Sequence, residues 1–415
     1  MSLVKTSLLN GIAVFIKMLS LFGINKVLAV LVGPSGYAIV GQFQNLVQML
    51  TTFSSGAVTT GVTKYTAEKK DDLGFIHGLW KTAGTISIIG SLITGTLLVV
   101  FSRSLSLYFL KDENYQNVFY WLAGSLIFFV FNSFLLSIMN GKKEIKIYVA
   151  ANISGSLLSL ISVYIFSSVW GLEGSLIALA VYQSIAFVVT FFLILRQPWF
   201  QLSYLAGAIQ KQHLIGLSHF TLMSLAAAVC VPSSHLFVRS FLIERLSPEA
   251  AGEWEGLIRL SSAYLMFLTT TLSVYFLPRM SEIKTKKETV TELNYILKYL
   301  IPGLVISICF IYFFRNLIIS VLFSDKFIFI EQLIGIQLIG DFFKMLGWTM
   351  GYILIARGLA KEFVISEVLF SLTFIAFSYY AVDSMGLIGM SYAHLLNYIF
   401  YALYLFYRLK MKDLI

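Results

Sequence analysis

The sequence predicts an all-α integral membrane protein of twelve transmembrane helices, arranged as two pseudo-symmetric six-helix lobes. Three observations carry this. Of its 415 residues 58% are hydrophobic and only 12% charged, whereas a soluble domain carries about 25% charged residues. Apolar stretches of about 20 residues, long enough to cross a bilayer core, recur along the whole chain and leave no room for a soluble domain of even about 50 residues. The pattern also repeats faintly after roughly 215 residues, the half-to-half symmetry that many transporters carry.

The expected spans run over 7–32, 36–61, 83–101, 118–139, 147–170, 172–195, 217–243, 255–277, 296–323, 333–356, 363–382 and 387–407. The opening MSLVKTSLLNGIAVFIKMLS enters the first span without an A-x-A-like cleavage site, so it reads as an anchor. In the repeat Lys26 falls near Arg239, Pro34-Ser35-Gly36 near Ser247-Pro248-Glu249, Gly41 on Gly256 and Lys64 on Arg279. The domains expected are an N-terminal lobe over 1–196, a cytoplasmic linker over 197–216 and a C-terminal lobe over 217–415. The longest outer loops expected lie over 101–116 and 243–255.

Alternate connections carry about twenty basic residues against about four in the other set, which places both termini in the cytoplasm by the positive-inside rule. That distribution also accounts for the net charge of +9 better than a nucleic-acid partner does, because no single face gathers the Lys and Arg. Trp170 and Trp254 on the sparse side, and Trp80 and Trp199 on the basic side, are placed in interfacial belts.

The tenth span holds an acid and a base in an apolar segment. Gln337, Asp341, Lys344 and Trp348 share one helical face, and Gly340, Gly347 and Gly351 form a stripe beside it. A charge at the bilayer centre costs about 2.5–3.5 kcal/mol on insertion scales, so the charged face should meet protein or water. The glycine stripe suits close approach by another helix. Asp341 is the candidate for ion coupling, with a self-neutralising Asp341–Lys344 pair as the alternative, and Glu367 of the eleventh span is either a second ion-coupling site or the partner of a lysine at the cytoplasmic end.

Lys17, Lys26, Arg239, Arg259 and Lys344 are candidates for an anionic substrate group, since buried positive charge with few acidic partners calls for an anion. Against this, Lys26, Arg239 and Arg259 lie near span ends, where long side chains can snorkel to water. Lys17 and Lys26 face opposite ways unless the first helix breaks near Gly23. Pro232 is a candidate kink in the seventh span. Asn45, Gln48, Thr52 and Ser55 form a polar ladder on the second span, suited to sugar hydroxyls or to helix-to-helix hydrogen bonds. Lys64 and Arg279 sit at the expected cytoplasmic entrance.

No phosphate-binding G-x-x-x-x-G-K-[ST], H-E-x-x-H or G-x-S-x-G motif occurs, so the reading is of a transporter and not an enzyme. The five histidines, His77, His213, His219, His235 and His394, have no metal-ligand spacing, and Cys230 and Cys309 read as packing residues, so no cofactor and no metal is expected.

GPSGY at 33–37, GVTKYTAE at 61–68, SVYFLPRMSEI at 273–283 and LIGDFFKMLGWTMGYILIARG at 338–358 resemble the flippases for lipid-linked oligosaccharides. These form the polysaccharide-transport branch of the multidrug/oligosaccharidyl-lipid/polysaccharide exporter superfamily, O-antigen and enterobacterial common antigen flippases among them. The resemblance covers nearly the full length. It implies two lobes around a central cavity in the bacterial inner membrane. It further implies alternating-access movement of an undecaprenyl-diphosphate-linked oligosaccharide to the periplasmic leaflet, driven by a cation gradient, with membrane lipids and glycan-assembly proteins as partners. By motif Lys64, Asp341 and Lys344 carry over most directly. Two other readings stand beside it: a multidrug exporter of the same fold, whose cavity should be acidic, and a polyprenyl-glycan polymerase or transferase, which should carry a large catalytic outer loop.

Overall fold

The computed structural model describes residues 3–415, with side chains from Gly11 onward apart from His219, Phe220 and Val274. His219, one of the five histidines considered above, therefore lies outside the described side chains. The first half comprises α1 (Leu3–Leu31), α2 (Gly33–Ser54), α3 (Thr59–Glu68), α4 (Leu73–Val100), α5 (Ser102–Leu105), α6 (Gln116–Gly141) and α7 (Ile145–Leu195). The second comprises α8 (Lys211–Arg245), α9 (Pro248–Thr271), α10 (Leu277–Glu282), α11 (Lys286–Phe313), α12 (Arg315–Leu322), α13 (Ile330–Ala356), α14 (Ala360–Met385) and α15 (Ile388–Met411).

Among the described residues eight helices are long and apolar enough to cross a membrane. One of them, α7, is two spans. Gly171 takes φ 56° and ψ −127° within it, and Ser167 and Ser175 hydroxyls meet at 2.8 Å. On a continuous helix those two residues stand about 12 Å apart, so the chain reverses at Gly171. The two α7 spans, the other seven helices and the more polar α2, α9 and α15 make up the twelve expected.

The repeat is visible in the backbone. Gly171 matches Gly386 (φ 63°), which turns α14 into α15, and Lys143 (φ 59°) matches Gly358 (φ 66°) at the preceding turn. Each pair is 215 residues apart, the offset of the repeat in the sequence. The halves differ after the second span. There the chain breaks at Gly56 and Ala57, both at positive φ, whereas α9 runs through a π-helical turn, Leu272–Phe276, straight into α10.

Two expected outer loops are instead helical. Ser247 caps α9 by accepting from the Ala250 amide at 3.1 Å, and Pro248 occupies its first turn, so the helix starts well before residue 255. Hydropathy reads the acids of this stretch as loop; the structure pairs Glu255 in the interior. The segment after Phe101 forms α5, a π-helical turn (Ser106–Leu110) and a 3-10 turn (Glu113–Tyr115). Trp80 and Trp254 are core residues, not belt residues: the Trp80 indole donates to Thr66 at 2.9 Å, and Trp254 stacks on Phe374. Trp170 is exposed.

By internal contacts the chain divides into two compact units, one formed by Met1–Val32 with Ile39–Pro232, the other by Gly33–Ala38 with Ser233–Ile415. Pro232 lies inside the unbroken α8. In the first unit Gly207 and Thr85 exchange hydrogen bonds at 2.9 and 3.0 Å, which ties the connection before α8 to α4. In the second, α13 packs lengthwise on α15. A Cβ on Gly347 would meet the Tyr401 ring at 2.5 Å, and one on Gly340 the His394 ring at 2.4 Å, so the glycine stripe is the seam between these helices.

Candidate functional site

The charged interior of the second unit is built from α8, α9, α13, α14 and α15. Arg239 on α8 is fully buried, and its guanidinium pairs with Glu255 of α9. Arg259, one turn along α9, donates from Nε to the other oxygen of the same carboxylate at 2.7 Å. Two guanidinium groups thus share one carboxylate, leaving one positive charge in excess. The Arg259 guanidinium lies 4.6 Å from the centre of the Tyr37 ring, and that of Arg239 lies 5.6 Å from the Trp254 ring, both within cation–π range. Glu255 was missed in the sequence because it stands where the expected outer loop meets the eighth span, a place at which an acid reads as solvated. The signal available was its i, i+4 spacing to Arg259.

The second cluster surrounds Asp341, which has no solvent exposure. Its Oδ1 lies 3.0 Å from His394 Nε2 of α15, and its Oδ2 accepts from the Tyr264 hydroxyl of α9 at 2.7 Å. Lys344 turns to aromatic rings, its Nζ 4.9 Å from the centre of Trp348 and 5.3 Å from that of Tyr398. The carboxylate is therefore held by His394 and Tyr264, and Lys344 faces ring electrons. His235 of α8 packs edge-on to the Trp254 ring, centroids 5.5 Å apart, and feels charge from both clusters. Glu367 of α14 is buried and accepts from the Tyr401 hydroxyl at 3.4 Å. Gln337 donates to the Ser261 hydroxyl at 3.4 Å.

Among the described residues the repeat does not reproduce the Asp341 cluster in the first half. At the positions that the repeat relates to Asp341, Lys344 and His394 stand Leu126, Phe129 and Leu179, all buried.

The remaining candidates lie elsewhere. Lys17 is exposed and Lys26 half-buried on α1, which is one unbroken helix: Gly23 admits the Leu160 side chain, 2.9 Å from where its Cβ would stand. The two lysines therefore keep different faces. On α2 the ladder bonds largely to its own helix, Thr52 to the Gln48 carbonyl at 2.8 Å and Ser55 to that of Thr52 at 2.9 Å. Gln48 is exposed, and Asn45 has a buried Nδ2 without a hydrogen-bond partner among the described residues. Lys64 is exposed on α3, its Nζ 5.8 Å from the centre of the Tyr65 ring. Arg279, exposed on α10, pairs with Glu282 at 3.2 Å and Glu292 at 3.5 Å. Outside the spans, Ser35 donates to Glu249 in the first turn of α9, which holds that carboxyl below its ordinary range.

Residues 3–284 match the family model described as "Polysaccharide biosynthesis protein". Over 401 residues the chain is 27% identical to proteins named Lipid III flippase from Escherichia coli (strain K12) and from Shigella flexneri, covering 97% of this chain and 96% of each relative. Among solved structures it is similar to an inward-facing multidrug resistance MATE family transporter of the MOP superfamily, with a TM-score of 0.77 at 14% identity over 95% of this chain and 94% of the other. It is likewise similar to the lipid II flippase MurJ in an inward closed conformation, with a TM-score of 0.71 at 16% identity over 99% and 89%. At such identities the two structures speak for the fold alone. The family match spans more than half of the chain, which therefore belongs to the polysaccharide biosynthesis protein family, with the all-helical fold of the MOP-superfamily transporters.

Proposed function

We propose that the chain is a flippase that moves an undecaprenyl-diphosphate-linked oligosaccharide from the cytoplasmic to the periplasmic leaflet of the bacterial inner membrane by alternating access. The observation that carries this is the match to relatives named Lipid III flippase along nearly the whole of both chains. The buried second-half cluster supports it. Arg239, Arg259 and Glu255 hold one positive charge in excess in a low-dielectric interior, a setting that favours a diphosphate and opposes an organic cation. A cationic-drug exporter of the same fold is disfavoured for that reason.

In this reading Arg239, Arg259 and Lys344 serve the diphosphate from the second half, and Lys17 and Lys26 from the first. Asn45, Gln48, Thr52 and Ser55 serve the sugars, and Lys64 and Arg279 the cytoplasmic entrance. Both termini are cytoplasmic, and transport is coupled to a cation through Asp341 and Glu367. The glycan is an enterobacterial common antigen or O-antigen repeat unit.

The test is a leaflet-resolved assay of lipid-linked repeat units in cells lacking the gene. Accumulation on the cytoplasmic leaflet, reversed by the wild-type chain, is the expected result. Repeat units that still reach the periplasm with no second flippase present would refute the assignment.

A further inference from the structure

We propose that the coupling cation is a proton and that its carrier is His394, with Asp341 as the residue that positions it. The inference rests on the flippase reading above; it names the ion and moves its binding atom from the Asp341 carboxylate to the neighbouring His394 imidazole.

The geometry is that of an oriented imidazole. Asp341 offers one oxygen to Tyr264, whose hydroxyl donates at 2.7 Å, and the other to His394 Nε2 at 3.0 Å. An ionised carboxylate only accepts, so Nε2 carries the hydrogen and Nδ1 is left as the basic lone pair. A proton arriving from water binds Nδ1 while Nε2–H stays in place. The product is an imidazolium against a carboxylate, with the charge of the cluster raised by one, and release of the proton from Nδ1 restores the starting state. Histidine is the side chain whose ordinary titration falls between pH 5 and 8.

The ring is also seated by shape. A Cβ on Gly340 would stand 2.4 Å from His394 Cδ2, so only glycine at the residue before Asp341 leaves room for the imidazole. Tyr398, one turn along α15, packs edge-on to the ring, with centroids 4.6 Å apart.

The same contacts argue against sodium. Hard metal cations gather several oxygen ligands around them, yet both carboxylate oxygens here already receive donor hydrogens, and the neighbours are an imidazole, a phenol, the Ser261 hydroxyl and an ammonium. The groups that face the pair are Tyr264 from α9, Lys344 from α13 itself, Tyr398 from α15 and His235 from α8; Glu367 of α14 acts on Tyr398 from beyond. With Asp341 negative and Lys344 positive, proton occupancy of His394 decides whether the cluster is neutral or cationic towards an anionic head group.

Two measurements test this. Nitrogen-15 histidine spectra of the protein in nanodiscs, recorded from pH 5 to 8, should contain one Nε2–H tautomer that titrates and that is missing from His394→Gln, while the other four histidine signals report that the variant is folded. In proteoliposomes, flipping of a fluorescent undecaprenyl-diphosphate-linked disaccharide should accelerate about tenfold under an imposed pH gradient, and the acceleration should vanish in His394→Gln. That factor corresponds to about 1.4 kcal/mol off the barrier to flipping. A His394 signal that does not move over this range, or acceleration by a sodium gradient and not by a pH gradient, overturns the inference. A titrating His394 in a wild-type protein that flips nothing under any gradient instead refutes the flippase reading and leaves the proton site standing.

Discussion

Arg239 on α8 and Glu255 on α9 form an ion pair in the interior of the second unit, with the Arg239 side chain only 1% exposed and that of Glu255 7%. Arg259 closes on the same carboxylate, so Glu255 is shared by two buried guanidinium groups. Removing one partner of a buried pair costs about 3–5 kcal/mol, because the other is left uncompensated in low dielectric. Glu255→Gln should lower the thermal unfolding midpoint in detergent by an amount in keeping with that loss. A midpoint within a degree of wild type would show that water or lipid, not Glu255, compensates the arginines.

The turns at Gly171 and Gly386 need glycine. Gly171 takes φ 56°, ψ −127° and Gly386 takes φ 63°, ψ −146°, a region essentially closed to residues with a Cβ. Gly171→Ala and Gly386→Ala should each destabilise by about 1–3 kcal/mol. Gly124→Ala, whose new methyl would find open space on α6, should be neutral or slightly stabilising. Equal behaviour of all three in a melt would remove the backbone argument.

At the α13–α15 seam the contact is with a functional ring. Gly340→Ala would place a methyl in the space of the His394 imidazole, and overpacking of this kind costs about 1–3 kcal/mol. Loss of pH-driven acceleration in proteoliposomes should accompany the stability change. Retained acceleration would mean that His394 works from another rotamer.

The Ser35–Glu249 bond has a pH signature. The Ser35 hydroxyl depresses the Glu249 carboxyl, so the folded protein binds that proton less well than the unfolded chain does. The stabilisation is therefore present above the ordinary carboxyl range, near pH 4.5, and fades as pH falls through the folded-state value. Ser35→Ala should cost less than about 1 kcal/mol at pH 7, as befits an exposed pair, and the gap to wild type should close towards pH 3. A gap that does not change with pH would exclude the hydrogen bond as its cause.

Composition, hydropathy and charge asymmetry by themselves determined the membrane class and the helical content. The faint repeat was enough to forecast two related halves, and Gly171 and Gly386 show it in the backbone. The 3.6-residue period placed Asp341, Lys344 and the glycine stripe on their faces of α13 correctly, because those relations are local to one helix. Tertiary structure alone decided the partners. Asp341 is held by residues 53 and 77 positions away, His394 and Tyr264, and not by the lysine one turn along. Glu255 became the counter-ion of Arg239, and Trp80 and Trp254 moved from an expected interface into the core. Which side chains meet across two helices depends on how each is rotated and slid against the other. That is settled by the packing of whole faces, such as the glycine seam that admits the His394 ring, and no window along a single helix records it.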